Sequence, residues 1–158
     1  MKKVKILSLV MLIGVVSLLT IGCGNKNIDG SLETIMTSLY SSIPEDQRPM
    51  MLENTKVNSD NIEYYLGSKD IEFEEALASE SAVGSIAHSV VLVRAKQNSD
   101  INAIKETIKK SVNPRKWVCV GVEKEDIVVE SKGDLVVLIM VEDAKTRNKL
   151  VDKFTELK

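Results

Sequence analysis

One run of residues, Val90-Val91-Leu92-Val93, constrains this chain more than any other. It is β-branched and apolar without alternation, which suits a strand buried on both faces. After it, Ser99 or Asp100 is placed to cap a helix whose apolar face is Ile101, Ile104, Ile108 and Val112, with Asn113-Pro114 ending it. The pattern recurs once. Ile127-Val128-Val129 and the run 135–141 flank Ser131-Lys132-Gly133-Asp134, a hairpin turn. Val136-Val137-Leu138-Ile139 then leads through Asp143 to a last helix with Leu150, Val151, Phe154 and Leu157 on one side. Two strand–strand–helix halves of this kind would share one core. The expected fold is α+β: a single mixed or antiparallel sheet of four to five strands, helices packed mainly on one face, and an N-terminal helix over an edge.

Ahead of that run the signals are local. Leu32, Ile35, Met36, Leu39, Tyr40 and Ile43 fall on one helical face, with Ser31 as N-cap and Pro44 as stop. Residues 45–60 read as irregular. Ile62 to Leu66, closed by Gly67, reads as a short strand, and 71–79 as a short helix capped by Asp70 with Phe73 and Leu77 inward. Trp117-Val118-Cys119-Val120 reads as a further strand.

The first 22 residues have a different character. Lys2, Lys3 and Lys5 precede an uncharged run from Ile6 to Gly22 rich in Leu, Val and Ile, the layout of an export signal. Leu19-Thr20-Ile21-Gly22-Cys23 looks like the lipobox of bacterial lipoproteins, although Thr20 stands where Leu is usual. That likeness implies a diacylglycerol on Cys23 and cleavage before it. The expected organisation is therefore a signal peptide over 1–22, a lipidated tether over 23–30 and one domain over 31–158, on the extracytoplasmic face of a cell membrane. An uncleaved anchor is the alternative, for which the apolar stretch is barely long enough. Loss of the leader takes three lysines and no acid, leaving 18 basic and 23 acidic side chains. A surface near −5 argues against a nucleic-acid partner, because phosphate neutralisation supplies most of that affinity.

Several spaced motifs resemble a known family. Glu63-Tyr64-Tyr65-Leu66-Gly67, the run from Ile86 to Arg94, Asn113-Pro114-Arg115-Lys116-Trp117 and Gly133-Asp134 are similar to the bacterial domain-of-unknown-function family 4358. The resemblance spans roughly 35–157. It implies a lipoprotein context and brings no activity, cofactor or catalytic residue.

Candidate chemistry is sparse. His88 is the only histidine and stands at the start of an apolar strand, where it reads as structural. Cys119 would need a lowered pKa and a base such as His88 to act as a nucleophile, and between Val118 and Val120 it reads as buried and inert. Asp70, Glu72, Glu74, Glu75 and Glu80 lack calcium-loop spacing and read as a solvated face. Arg115, Lys116 and Trp117 are the candidate binding residues, since Arg and Trp are favoured at interfaces; Trp117 could equally plug the core. Phosphate-loop, nucleophile-elbow, Cys-x-x-Cys and His-Glu-x-x-His motifs are absent from the sequence. No metal, cofactor or catalytic residue is assigned. The expectation is a lipid-anchored binding or interaction module for an unknown protein or small-molecule partner. The rivals are an enzyme using His88 and Cys119 or the acidic segment, and an accessory subunit of an envelope complex.

Overall fold

The computed structural model describes residues 27–158. The expected signal peptide, the uncleaved-anchor alternative and Cys23 lie outside the described residues. Within them the chain runs α1 (Leu32–Tyr40), β1 (Leu52–Lys56), α2 (Ile62–Leu66), β2 (Glu75–Ser81), β3 (His88–Arg94), α3 (Ile101–Ser111), β4 (Val128–Lys132), β5 (Leu135–Val141) and α4 (Ala144–Thr155). The strands form one open antiparallel sheet in the order β1-β2-β3-β5-β4. No described helix is long and apolar enough to cross a membrane.

The two valine-rich runs are the adjacent central strands, with Val90 opposite Ile139 and Val93 opposite Val136. Val90 and Leu92 look into one core with Val137 and Ile139, and Val91 and Val93 into a second with Leu138 and Met140. Unbroken apolar strands need cover on both sides. Here the helices divide: α1 and α4 seal one face, α2 and α3 the other. The expected gathering on one face is corrected accordingly. Each fully buried aliphatic side chain contributes roughly 1.5–3 kcal/mol, so a bare second face would be costly. Two strand–strand–helix halves are present, β2-β3-α3 and β4-β5-α4, the first led by β2 and not by the expected strand at 62–66, with Asp100 and Asp143 accepting from Ala103 N and Thr146 N as N-caps. Their helices lie on opposite faces. α1 packs over β2 and β3 and against α4, not over an edge.

Four local expectations change. Residues 62–66 form helix α2, because Ile62 and Leu66, one turn apart, both bury against α3 and its flanks, and Gly67 closes the helix at φ +83°. Residues 75–81 form strand β2 in place of the expected helix; their backbone pairs with β1 on one side and β3 on the other. The segment taken as irregular holds β1. Trp117 to Val120 is not a strand: Cys119 sits at φ +62° in a loop.

Packing begins ahead of the boundary expected at residue 31. Ile28 is buried among the α1 core residues, and its N–H donates to Asp134 Oδ1 at 3.1 Å. Arg94, at the end of β3, donates to the carbonyls of Ile28 and Gly30 and to the carboxylates of Asp134 (2.7 Å) and Glu75 (2.9 Å). Gly133, at φ +60°, opens the two-residue β4–β5 turn that brings Asp134 there.

Candidate functional site

The site is built on the loop between α3 and β4. Asn113 Oδ1 accepts from Arg115 N, and Val122 N donates to Pro114 O, closing the loop on itself. Gly121 permits the closure, since a Cβ there would stand 2.7 Å from Pro114 O. Val118 N donates to Gly84 O at 2.8 Å, tying the loop to the β2–β3 connection.

This conformation turns Lys116 inward. Its side chain is 3 % exposed, with Nζ 2.9 Å from Glu80 Oε2 and 3.2 Å from Ser89 Oγ. Nζ also lies 4.3, 4.9 and 5.2 Å from the ring centroids of Tyr64, Tyr65 and Trp117. Three aromatic faces and a carboxylate thus enclose the chain's own ammonium, each desolvated cation–π contact contributing up to ~2 kcal/mol. The two tyrosines meet edge to face at 4.9 Å. Tyr64 donates its O–H to Glu80 Oε1 at 3.0 Å, so both carboxylate oxygens are engaged. Burial pushes the Lys116 amine below its usual range, against the opposing pull of Glu80. Burial raises the Tyr64 hydroxyl, and the adjacent Glu80 carboxylate raises it further.

Above this cage lies an open cleft of about 360 Å³ lined by Glu53, Thr55, Tyr64, Glu80, Lys116 and Val118, among others. Two of the large hydrophobics most exposed among the described residues line it, Val118 (67 %) and Tyr64 (48 %); the other two, Met50 (69 %) and Met51 (63 %), lie in the turn ahead of β1. Ser81 Oγ donates to Met50 O and Ala82 N to Met51 O, which holds both methionines at this end of the sheet. The Arg94 clamp is at the other end of β3, about 20 Å away at ~3.3 Å per residue.

Of the candidate binding residues, Lys116 is enclosed as described. Trp117 is 8 % exposed and plugs the core beneath the cleft, where its indole N–H has no acceptor among the described residues. Arg115 is exposed and pairs with Glu123 at 2.6 Å. His88 is buried on the other face of the sheet, its Nε2 2.7 Å from Tyr40 Oη. Burial lowers its imidazole to about 4 and raises the Tyr40 hydroxyl. Cys119 is exposed, a correction to the expected burial that follows from the loop replacing a strand. It belongs to the α2–α3 face, whose core holds its neighbour Val120, whereas His88 shares the α1–α4 side with Tyr40. The sheet therefore separates the two, and no thiol–imidazole pair forms. The acidic segment is dispersed as well: Glu72 pairs with Lys96, Glu75 with Arg94 and Glu80 with Lys116. Among the described residues no group of three or more His, Cys, Asp or Glu side chains is placed to hold a metal ion.

Sequence reasoning missed Glu80, Ser89, Tyr64 and Tyr65 as partners of Lys116. They come from β2, β3 and α2, and only the resemblance motifs touched three of these four. No family model, curated protein or solved structure matches the chain.

Proposed function

We propose that this chain is a lipid-anchored extracytoplasmic binding module, of the kind grouped in domain-of-unknown-function family 4358, and that its ligand occupies the cleft over Lys116. The observation that carries the reading is the cleft itself: an aromatic and ion-paired floor beside the exposed Tyr64 and Val118, with the exposed Met50 and Met51 in the turn that Ser81 and Ala82 hold next to it. Sites of this type combine apolar contact with a few fixed polar groups. The position agrees with an anchor on Cys23. From there to the clamped Ile28 the chain reaches at most about 17 Å, so the Arg94 end would face the membrane and the cleft would face outward. Diacylation supplies the two acyl chains that stable anchoring requires.

Two measurements test this. Mass spectrometry of the membrane-extracted protein should find an N-terminal Cys23 carrying the diacylglycerol mass; an intact Met1 refutes the anchor. Trp117 is the only tryptophan, so its emission reports on the cleft. A library of small molecules and peptides should contain members that shift that emission and raise the melting temperature together, as binding to the native state requires. A library that moves neither refutes the cleft. The exposed methionines also favour service as an accessory subunit of an envelope complex, in which case a stable partner co-purifies from membranes. No observation favours the enzyme reading with His88 and Cys119.

A further inference from the structure

We infer that the free edge of β1 is a docking site for an extended peptide segment of a partner protein, which adds as a sixth, antiparallel strand with basic side chains on its α2-facing side and apolar ones on its α1-facing side. The inference rests on the binding reading above and deepens it by naming the ligand class. The two edges of the sheet differ. α3 and α4 both pack over β4, whereas among the described residues no helix makes comparable contact with β1. On β1 the odd residues bond inward, as Val57 N to Ala76 O and Ala82 N to Met51 O show. The alternation of an antiparallel ladder then turns the N–H and C=O of Leu52 and Asn54, and the N–H of Lys56, away from the sheet. The Lys56 carbonyl is already taken by Asn61 Nδ2 at 3.0 Å.

Both faces beside this edge are open. The cleft over Lys116 borders Glu53 and Thr55 on the α2 side. A second cleft of about 330 Å³, bounded by Met36, Tyr40, Arg48 and Leu52, borders Asn54 on the α1 side. Side chains of an added strand alternate between the faces and so enter the two clefts in turn. Charge selects between them. Glu53 has no ion-pair partner among the described salt bridges and stands beside the half-exposed Tyr64, which suits a cation. Arg48 on the other rim disfavours a second cation, while Met36 and Leu52 suit an apolar side chain.

The test uses the full-length chain in detergent and a capped octapeptide of alternating valine and lysine. Saturable binding, followed by Trp117 emission, should slow amide exchange at Leu52 and Asn54. In antiparallel addition the valine amides face β1. N-methylation of the valines should therefore weaken binding by at least about tenfold, and N-methylation of the lysines should leave it. Glu53→Lys should transfer preference to the alternating valine–glutamate peptide. Asn54→Pro, which removes an outward donor, should abolish binding at an unchanged melting temperature. Equal binding of the two N-methylated peptides overturns the inference, whatever becomes of Asn54→Pro. So does a β1-dependent dimer that excludes the peptide, since a second copy is then the occupant. If the peptide fails while other compounds still shift Trp117 emission, strand addition falls and the cleft reading stands.

Discussion

Replacing either partner of the Lys116–Glu80 pair alone should cost far more stability than replacing both. At 2.9 Å and an effective dielectric near 20, the attraction is about 6 kcal/mol. Removing two ions from water costs several kcal/mol each, which offsets most of that gain. The pair as a whole therefore contributes little net stability. A single substitution is different, because the side chains are only 3 % and 11 % exposed and the remaining charge has nowhere to go. Lys116→Met leaves Glu80 with the Tyr64 hydroxyl as its sole hydrogen-bond donor; Glu80→Met leaves an ammonium among ring faces with Ser89. Each should destabilise by about 3–5 kcal/mol, and the double variant should return to within roughly 1 kcal/mol of the parent. Urea denaturation of the four proteins, followed by far-ultraviolet circular dichroism, closes the cycle and gives a coupling of about 5 kcal/mol or more. Single variants that each cost under about 1 kcal/mol, or a double variant equal to their sum, would refute the picture of a desolvated pair.

The buried imidazole predicts a pH dependence. The folded His88 titrates at about 4 and the unfolded one near 6.5, so between these values the unfolded chain takes the proton that the native one refuses. Stability unaffected above pH 6.5 should fall by about 3 kcal/mol as the pH drops to 4, and a His88→Gln variant should lack this component in parallel melts; superimposable slopes would count against it. Gly67→Ala combines a positive φ with a Cβ placed 2.3 Å from the Ser111 carbonyl carbon and oxygen. It should cost roughly 2–4 kcal/mol in urea, and an unchanged midpoint refutes the close approach. Arg94→Met removes the donors to Ile28 and Gly30 and leaves Asp134 without its ion-pair partner. Amide exchange and proteolysis around 27–31 should accelerate, with a loss of about 2–3 kcal/mol; protection equal to the parent removes the clamp.

Legibility in the sequence followed the strength of local signals. The α1 face, with its Ser31 cap and the stop before Pro44, was readable because six apolar residues repeat at helical spacing, and all of them are buried. The central strands were readable because nothing but burial on two sides explains an unbroken valine run. The same observation should have placed helices on both faces, and the inference of one covered face ignored it. β2 was not readable. Ala76, Ala78, Ser79 and Glu80 carry no strand preference, and the segment is extended because β1 and β3 pair with it. α2 is too short to show a period, and its adjacent tyrosines resemble strand residues until Ile62 and Leu66 are seen to share one buried side. The cage was invisible for a different reason. Lys116 and Glu80 are separated by 36 positions, and only the fold joins them. Cys119 departs from its expected burial because 113–122 is an irregular loop, and the same loop seats Trp117 in the core, one of the two positions open to it.

The doubly covered pair β3 and β5 acts as a septum through the molecule. On one side stands the Tyr40–His88 contact, on the other the ammonium cage, and among the described residues no polar side chain links them through the valine layer. Successive residues of a single strand, His88 and Ser89, serve separate compartments. Among the described residues the two share no hydrogen-bond partner, so substitutions in one should combine with those in the other as nearly independent events, and each half can be altered with little retuning of the other.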